Sequence, residues 1–416
     1  MRAYRPRIID AELRRQVYSA GAVVVEGARA TGKTESARQL AASELLLDGN
    51  SALAQLARVE PSAALPGETP RLLDEFRVVP GLWNEVRRAV DDRGKSAQFI
   101  LTGSASPSDD PLRHSGAGRF THVFMRTMSL TETGHSAAAI SLAGLFDDAT
   151  VPLAESDIGF RDVTQRLVTG GWPGWQGVSP EAAAARATAY IADIAQRDYP
   201  QVAGPRRDPR RLTAYLRAVA GLTAQPATYA AITRRMSDES GINAGPAAVP
   251  ELHDLAIRMF LVEDQPSWSP RLRSATALVQ TPKRHLVDPS LAASLLGASA
   301  HRLLSEPETL GFLFEAQAVH DLRVYAQASG ARGVFHYRDS KGRDEIDAVV
   351  EGSDGRWVGF EVKLGLGAVD EAAANLLRVS AKIARPPAAL VVIVPTGVAH
   401  RRPDGILVVP LTVLGP

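Results

Sequence analysis

The feature that most constrains this chain is a glycine-rich turn directly after a short apolar run. The run Ala22–Val25 is typical of a buried strand, and the segment Gly27–Thr34 follows it. Glycines let backbone N–H groups curl around phosphate oxygens, the lysine supplies a point charge, and the threonine hydroxyl can bind Mg²⁺. A structural turn is the plain alternative, but the strand before it favours nucleotide binding. The predicted nucleotide ligands are Gly27, Ala28, Arg29, Ala30, Thr31, Gly32, Lys33 and Thr34.

Length and composition limit the class of protein. A chain of 416 residues, 45% hydrophobic and 22% charged, is typical of a protein with several domains. No apolar stretch is long enough to cross a bilayer and the first ten residues lack a secretion signal, so we expect a cytoplasmic protein without a membrane partner. The absence of cysteine excludes disulfides and thiolate zinc sites. A net charge of +1 gives no global attraction to polyanions.

Two adjacent acids, Asp74 and Glu75, end a short apolar strand that begins at Arg71. In a P-loop enzyme one acid holds Mg²⁺ through water and the next orients the attacking water, and both lie at the carboxyl end of a strand. Acids also favour the starts of helices, which is the alternative. We therefore predict Thr34 and Asp74 as Mg²⁺ ligands and Glu75 as a catalytic residue.

Two further polar residues complete the predicted site. Thr102 ends the buried strand that starts at Gln98, where a sensor of the γ-phosphate would lie, with Ser104 as second choice. Arg119 follows a glycine-rich stretch and is the candidate arginine finger, which would neutralise charge on the transferring phosphoryl group within one chain or across two. The alternatives are a Gly-Ser turn and a surface arginine.

The order of these segments resembles a prokaryotic AAA+ type ATPase. More narrowly, the chain is similar over almost its whole length to the group in which that ATPase is fused to a C-terminal domain of unknown function. The resemblance implies ATP rather than GTP. Two departures are Phe76-Arg77, where a residue and a glutamine usually follow the acids, and Thr127 in place of a proline. The segments that carry the resemblance are Tyr4–Asp10, Gly27–Thr34, Leu73–Glu75, Leu101–Ser104, Gly118-Arg119 and Met125–Glu132.

The middle of the chain predicts helices, a turn and a hairpin. Clustered glycine and proline in Thr169–Trp175 predict a turn with two tryptophans packed beneath it. Between Arg211 and Leu291 we expect three helices and a hairpin with the return strand Arg284–Asp288, similar to a winged helix. Such a module places a helix in a DNA groove or docks a protein, and both remain open. A basic cluster that is either a phosphate contact or a solvated face comprises Arg206, Arg207, Arg210 and Arg211.

A second cluster of charged residues lies near the C-terminus. Asp347 and the pair Glu361 and Lys363 fall on two strands of a predicted hairpin, where period-two alternation puts the pair on one face. The pattern matches the Asp…Glu-x-Lys core of restriction-endonuclease-like nucleases, in which two carboxylates hold Mg²⁺ and the lysine assists the attacking water. Glu315 resembles the extra acid that the first helix of this fold often donates. The alternative is a solvated pair on a domain without activity.

These observations predict an α/β protein with four parts and ATP and Mg²⁺ as cofactors. The expected activity is ATP hydrolysis coupled to DNA or RNA binding or processing by the nuclease-like domain. The alternatives are a nucleotide-switched regulatory module with an inactive nuclease fold and an ATPase that remodels a protein partner through the winged helix. A homo-oligomer is left open. The predicted parts are a P-loop AAA+ parallel-sheet domain at 1–155, a helical linker at 156–205, a winged-helix-like domain at 206–300 and a restriction-endonuclease-like α/β domain at 301–416.

Overall fold

The computed structural model describes residues 4–104, 116–147, 152–204, 207–242, 245, 247–271, 280–339 and 342–416. The chain forms two compact units. The first contains Met1–Thr127, Arg197–Arg207 and Leu255–Leu261, and the second contains Met128–Gln196, Asp208–Asp254 and Val262–Pro416. The first segment of the first unit ends at Thr127, and the predicted domain bounds stay predictions. Among the described residues, no helix is both long enough and apolar enough to cross a membrane.

The first unit is built on a parallel sheet of five strands. Its order is β2-β3-β4-β1-β5, and all four pairings are parallel. The strands are β1 (Ala22–Glu26), β2 (Ser43–Leu46), β3 (Arg71–Asp74), β4 (Phe99–Gly103) and β5 (Phe120–Phe124). The helices are α1 (Asp10–Ser19), α2 (Lys33–Arg38), α3 (Ala52–Val59) and α4 (Leu82–Arg93).

Both faces of this sheet are covered, which explains why its strands are almost continuously apolar. On one face Val23 and Val25 of β1 pack with Leu13 of α1 and Ala37 of α2. On the other face Val24 packs with residues of α3 and α4. Because β4 lies between β1 and β3, the carboxyl ends of these three strands meet at one edge of the sheet.

The rest of the chain contains further helices and two larger β elements. The helices are α5 (Leu130–Thr133), α6 (Phe160–Thr169), α7 (Pro180–Asp193), α8 (Tyr199–Ala203), α9 (Pro209–Ala220), α10 (Tyr229–Ser240), α11 (Ala248–Arg258), α12 (Pro289–Leu295), α13 (Ala300–Ser305), α14 (Pro307–Ala328) and α15 (Val369–Ser380). The strands are β6 (Ile140–Ser141), β7 (Val262–Gln265), β8 (Lys283–Leu286), β9 (Gly333–Arg338), β10 (Glu345–Glu351), β11 (Trp357–Val362), β12 (Ala389–Val394), β13 (His400–Arg401), β14 (Leu407–Pro410) and β15 (Leu414–Gly415).

A mixed sheet organises the C-terminal part of the second unit. Its order is β13-β14-β12-β11-β10-β9, with β9, β10 and β11 antiparallel and β11, β12 and β14 parallel. Helix α15 covers one face, where Leu376 packs with Trp357 and Val392. The predicted hairpin of β10 and β11 is confirmed, with Ala348 opposite Phe360.

The middle segment contains the expected three helices and hairpin. Helices α9, α10 and α11 precede the antiparallel pair of β7 and β8, in which Gln265 lies opposite Lys283. The tip of the predicted wing, residues 272–279, and Arg206 of the basic cluster lie outside the described residues.

The turn predicted at Thr169–Trp175 lies in the second unit, where Gly171, Trp172 and Trp175 are buried and Gly174 is exposed. Trp172 and Trp175 pack against each other with ring centroids 5.0 Å apart, as predicted. Gly171 bonds closely to the backbone of Met128, whose N–H donates to the Gly171 carbonyl at 2.7 Å. A β-carbon on Gly171 would lie 2.2 Å from the carbonyl oxygen of Met128, whereas one on Gly174 would meet nothing within 4 Å.

This difference predicts opposite results for two alanine substitutions in one turn. Gly171→Ala should lower the free energy of unfolding by about 1–3 kcal/mol, because the backbone must move to relieve the overlap. Gly174→Ala is the matched control and should leave stability unchanged or slightly raised. Urea denaturation of both variants measures the effect, and equal stability of the two would contradict the close packing at Gly171.

Candidate functional site

The glycine-rich loop has the backbone shape that its sequence predicts. Gly27 has φ 148° and Gly32 has φ 97°, both in the region that favours glycine. A β-carbon on Gly27 would lie 2.2 Å from the carbonyl oxygen of Met125, so no larger residue fits there. The loop thus curls tightly between the end of β1 and the start of α2.

Lys33 is buried inside this loop. Its ammonium donates to the carbonyl oxygens of Gly27 at 2.9 Å and Ala28 at 2.7 Å. Burial lowers the pKa of Lys33 to about 8, although the charges of Glu75 and Asp74 act in the opposite direction. Lys33 therefore loses its proton at a lower pH than an ordinary lysine, and it lies where the phosphates are expected.

A hydroxyl–carboxylate cluster joins three separate segments at the carboxyl edge of the sheet. Thr34 Oγ1 donates to Asp74 Oδ1 at 2.7 Å, and Thr102 Oγ1 donates to the same oxygen. The three residues come from the start of α2, the end of β3 and the end of β4. Carboxylate and hydroxyl oxygens suit Mg²⁺, so Thr34 and Asp74 fit the predicted metal-binding role.

Glu75 lies beside this cluster in an unusual backbone conformation. Its φ of 52° is in the left-handed region, which a residue with a side chain seldom adopts and which is often found at functional sites. Its carboxylate accepts a hydrogen bond from Ser104 Oγ at 2.9 Å, and its backbone N–H donates to Thr102 Oγ1 at 3.4 Å. The structure thus brings Glu75, Thr102 and Ser104 together, as the sequence predicts.

Arg119 lies at the end of the five-stranded sheet where β1 begins, opposite the end that carries the glycine-rich loop. It precedes β5, and its carbonyl accepts from the N–H of Ala22 at the start of β1. The length of β1 therefore separates it from the loop by about 13 Å. Its side chain is 42% exposed and pairs with Asp91 at 2.8 Å. This placement favours an arginine finger that acts across two chains over one that acts within a chain, and the role of Arg119 stays a prediction.

Two arginines support the loop without having been predicted as site residues. Arg7 is buried and donates to the carbonyl oxygens of Thr31 at 2.7 Å and Arg126 at 2.9 Å, which fixes the loop. Arg77 donates to Glu26 Oε1 at 2.6 Å, next to the loop. Arg7 falls in a segment that carries the resemblance, and Arg77 stands at one of the two departures, so both had a signal in the sequence. Among the predicted ligands, the Arg29 side chain pairs with Asp198 at 2.8 Å.

The predicted C-terminal residues also meet in the second unit. Lys363 Nζ lies 3.0 Å from Glu361 Oε2 and 3.8 Å from Asp347 Oδ2. Asp347 Oδ2 accepts from the backbone N–H of Val362 at 3.0 Å, and Glu361 Oε1 accepts from Asn375 at 2.9 Å. The side chains of the Asp…Glu-x-Lys pattern thus converge, as expected from two adjacent strands.

A lysine that the prediction did not include lies among these carboxylates. Lys283 Nζ, on β8, donates to Glu315 Oε1 at 2.6 Å and to Asp347 Oδ1 at 3.3 Å. Burial and the charge of Asp347 raise the pKa of Glu315 to about 7. Burial disfavours the charged form of Lys283, but the charges of Glu315 and Asp347 outweigh it and raise its pKa.

This lysine bears on the role of Glu315, Asp347 and Glu361 as metal ligands, which stays a prediction. An ammonium already contacts two of the three carboxylates. In the part of the chain that the structure describes, no group of three or more His, Cys, Asp or Glu side chains is arranged to hold a metal ion. As the structure arranges them, the carboxylates of this C-terminal cluster do not fit Mg²⁺.

Three family models match successive parts of the chain. Residues 19–134 match the AAA domain, residues 160–302 match a domain of unknown function (DUF8612), and residues 310–414 match another (DUF4143). The match over residues 19–134 supports the prediction of an AAA-type P-loop ATPase in the N-terminal part of the chain. The two C-terminal families carry no assigned function.

The chain is also similar to two uncharacterized mycobacterial proteins and to two proteins of known structure. Uncharacterized proteins of Mycobacterium bovis (strain ATCC BAA-935 / AF2122/97) and Mycobacterium tuberculosis (strain ATCC 25618 / H37Rv) are each 25% identical over 359 residues, which is 85% of this chain and 72% of theirs. A Walker-type ATPase of Pyrococcus abyssi shares 13% identity with a TM-score of 0.43, covering 69% of this chain and 94% of that one. The ORC2 protein of Aeropyrum pernix shares 13% identity with a TM-score of 0.30, covering 72% and 92%.

The lowered pKa of Lys33 predicts how nucleotide affinity changes with pH. Below pH 8 the ammonium is charged, and above pH 8 the protein must take up a proton to bind phosphate. The dissociation constant for Mg·ATP should therefore rise about tenfold between pH 7 and pH 9. Calorimetric titration in buffers of different ionisation enthalpy should show proton uptake at pH 8.5.

Lys33→Arg is the matched control, because arginine keeps its charge throughout this window. Whatever its absolute affinity, its pH profile should be flat between pH 7 and pH 9. A flat profile for the wild-type chain would show that Lys33 keeps an ordinary pKa.

Proposed function

We propose that this chain binds ATP and hydrolyses it in a Mg²⁺-dependent reaction at the edge of the five-stranded sheet. The observation that carries the proposal is the shared hydrogen bonding of Thr34 and Thr102 to one oxygen of Asp74. The loop lysine and Glu75 lie at the same edge. We propose ATP and not GTP as the nucleotide because of the family resemblance alone.

Each residue has a role in this proposal. Lys33 and the loop amides bind the β- and γ-phosphates, and Thr102 senses the γ-phosphate. Glu75 orients the attacking water and accepts its proton. Thr34 and Asp74 would hold Mg²⁺, which would neutralise charge on the phosphates. Ser104 holds the Glu75 carboxylate in place by its hydrogen bond.

Arg119 enters the proposal only through a second copy of the chain. In this proposal its exposed guanidinium acts on the phosphates of a neighbouring copy, because Arg119 lies at the opposite ends of the strands from its own loop. An arginine supplied from outside neutralises transition-state charge in the same way as one supplied within the chain. We therefore propose a homo-oligomer as the active form.

Two outputs are proposed for the ATPase cycle. The first is nucleic-acid binding by the winged-helix-like module and the nuclease-like domain, supported by the exposed basic residues Arg210 and Arg211. The second is a nucleotide-switched regulatory or protein-remodelling role with an inactive nuclease fold. The charge of the exposed residues favours the second output. The exposed residues of α11 are two acids, Glu251 and Asp254, and the basic residue Arg210 is already paired with Asp208 at 3.0 Å.

The role of Glu75 is tested by Glu75→Gln. Because this change removes the base but keeps the shape of the side chain, kcat for ATP hydrolysis should fall by about 10²–10⁴-fold while Mg·ATP affinity stays within about threefold. Phosphate release and calorimetric titration measure the two quantities. Glu68→Gln, at an exposed position, is the control and should match the wild type. Hydrolysis of ATP by Glu75→Gln at the wild-type rate would show that Glu75 is not the base in this reaction.

The choice between outputs is tested with nucleic acids. The purified chain is incubated with single- and double-stranded DNA and RNA, ATP and Mg²⁺ or Mn²⁺, and both retardation and product size are followed. A protein-remodelling role predicts no retardation and no cleavage, whereas a regulatory module with an inactive nuclease fold predicts retardation that weakens with salt but no cleavage. Retardation together with metal-dependent cleavage would instead establish nucleic-acid processing.

A further inference from the structure

The hairpin of β7 and β8 delivers a lysine to the C-terminal carboxylates. Lys283 lies opposite Gln265 in the hairpin, and its side chain is 6% exposed. Gln265 Nε2 donates to the carbonyl oxygens of Phe335 and Asp347, each at 2.9 Å, so the hairpin is anchored to β9 and β10. The position of the ammonium is therefore fixed by the fold of the second unit.

The contacts of this lysine resemble those expected of a bound cation. It donates to one carboxylate from α14, Glu315, and to one from β10, Asp347, in a buried environment. Burying carboxylates without a counter-charge is strongly unfavourable, so the cluster requires a cation of some kind. Lys283 supplies that cation from within the chain.

The same contacts oppose a divalent ion. A Mg²⁺ ligand oxygen lies about 2.1 Å from the ion. An ion on Asp347 Oδ1 would lie at most about 5.4 Å from Lys283 Nζ, given the 3.3 Å between that nitrogen and that oxygen. Two positive charges at this separation in a buried site repel each other strongly.

We propose that Lys283 is a built-in counter-ion that takes the place of the divalent cation in the nuclease-like cluster. The wild-type C-terminal domain then binds neither Mg²⁺ nor Mn²⁺ at these carboxylates and cleaves no phosphodiester. The inference depends on the proposed nuclease-like fold for the position of the metal, and it does not involve the nucleotide site.

The test removes the ammonium and looks for a metal site. Full-length Lys283→Met keeps the length of the apolar stem and leaves three carboxylates facing Lys363. Without nucleotide, saturating Mn²⁺ should raise its melting temperature by about 5–10 °C at a hundredfold excess over the dissociation constant. The wild type should show no such shift. Adding Asp347→Asn to Lys283→Met should abolish the gain.

Two further variants guard against failure to fold. Lys283→Met combined with Glu315→Gln removes a buried positive and negative charge together, and it keeps Asp347 and Glu361 for Mn²⁺; it should gain the same kind of shift. Lys382→Met removes a half-exposed lysine that pairs with Asp344 at 2.6 Å, and should behave like the wild type. ATP turnover of each variant reports whether the N-terminal site is intact.

Two results would overturn the proposal. One is a Mn²⁺ shift in the wild-type chain that Asp347→Asn removes, because the cluster would then bind metal beside Lys283. The other is the absence of any Mn²⁺ shift both in Lys283→Met and in Lys283→Met combined with Glu315→Gln. Neither result bears on ATP hydrolysis, so failure of this inference and failure of the proposed ATPase are distinguishable.

Discussion

A single carboxylate oxygen, Oδ1 of Asp74, organises the N-terminal site. It accepts hydrogen bonds from Thr34, which is 40 residues earlier, and from Thr102, which is 28 residues later. These bonds are possible because β4 is inserted between β1 and β3 in a parallel sheet, so that three carboxyl ends meet. Glu75 directly follows Asp74 at the carboxyl ends of these strands. There it has a left-handed backbone and accepts a hydrogen bond from Ser104.

The two halves of the chain use lysine and carboxylates in opposite ways. Lys33 is bonded to two backbone carbonyls and its pKa is lowered by burial. Lys283 is also buried, but the charges of Glu315 and Asp347 raise its pKa. A lysine whose charged form is poorly compensated gains from binding an anion, whereas one between two carboxylates is already compensated. This contrast supports ligand binding at the first site and an internal ion network at the second.

The sequence predicts those parts of the sites that depend on local pattern. Gly27, Lys33 and Thr34 lie in one loop, and the hairpin pattern places Glu361 near Asp347. Lys283 escaped prediction because it lies 64 residues from Asp347 along the chain and belongs to no recognised motif. The placement of Arg119 required the direction of β5 relative to β1, which residue spacing alone does not give.

The central claim is that the loop after β1 binds a triphosphate through its main-chain amides and Lys33. Calorimetric titration of the purified wild-type chain with Mg·ATP at pH 7 tests it most directly. We expect a saturable heat with one nucleotide per chain that is lost in Lys33→Ala. No measurable heat with either ATP or GTP in the presence of Mg²⁺ would contradict the claim.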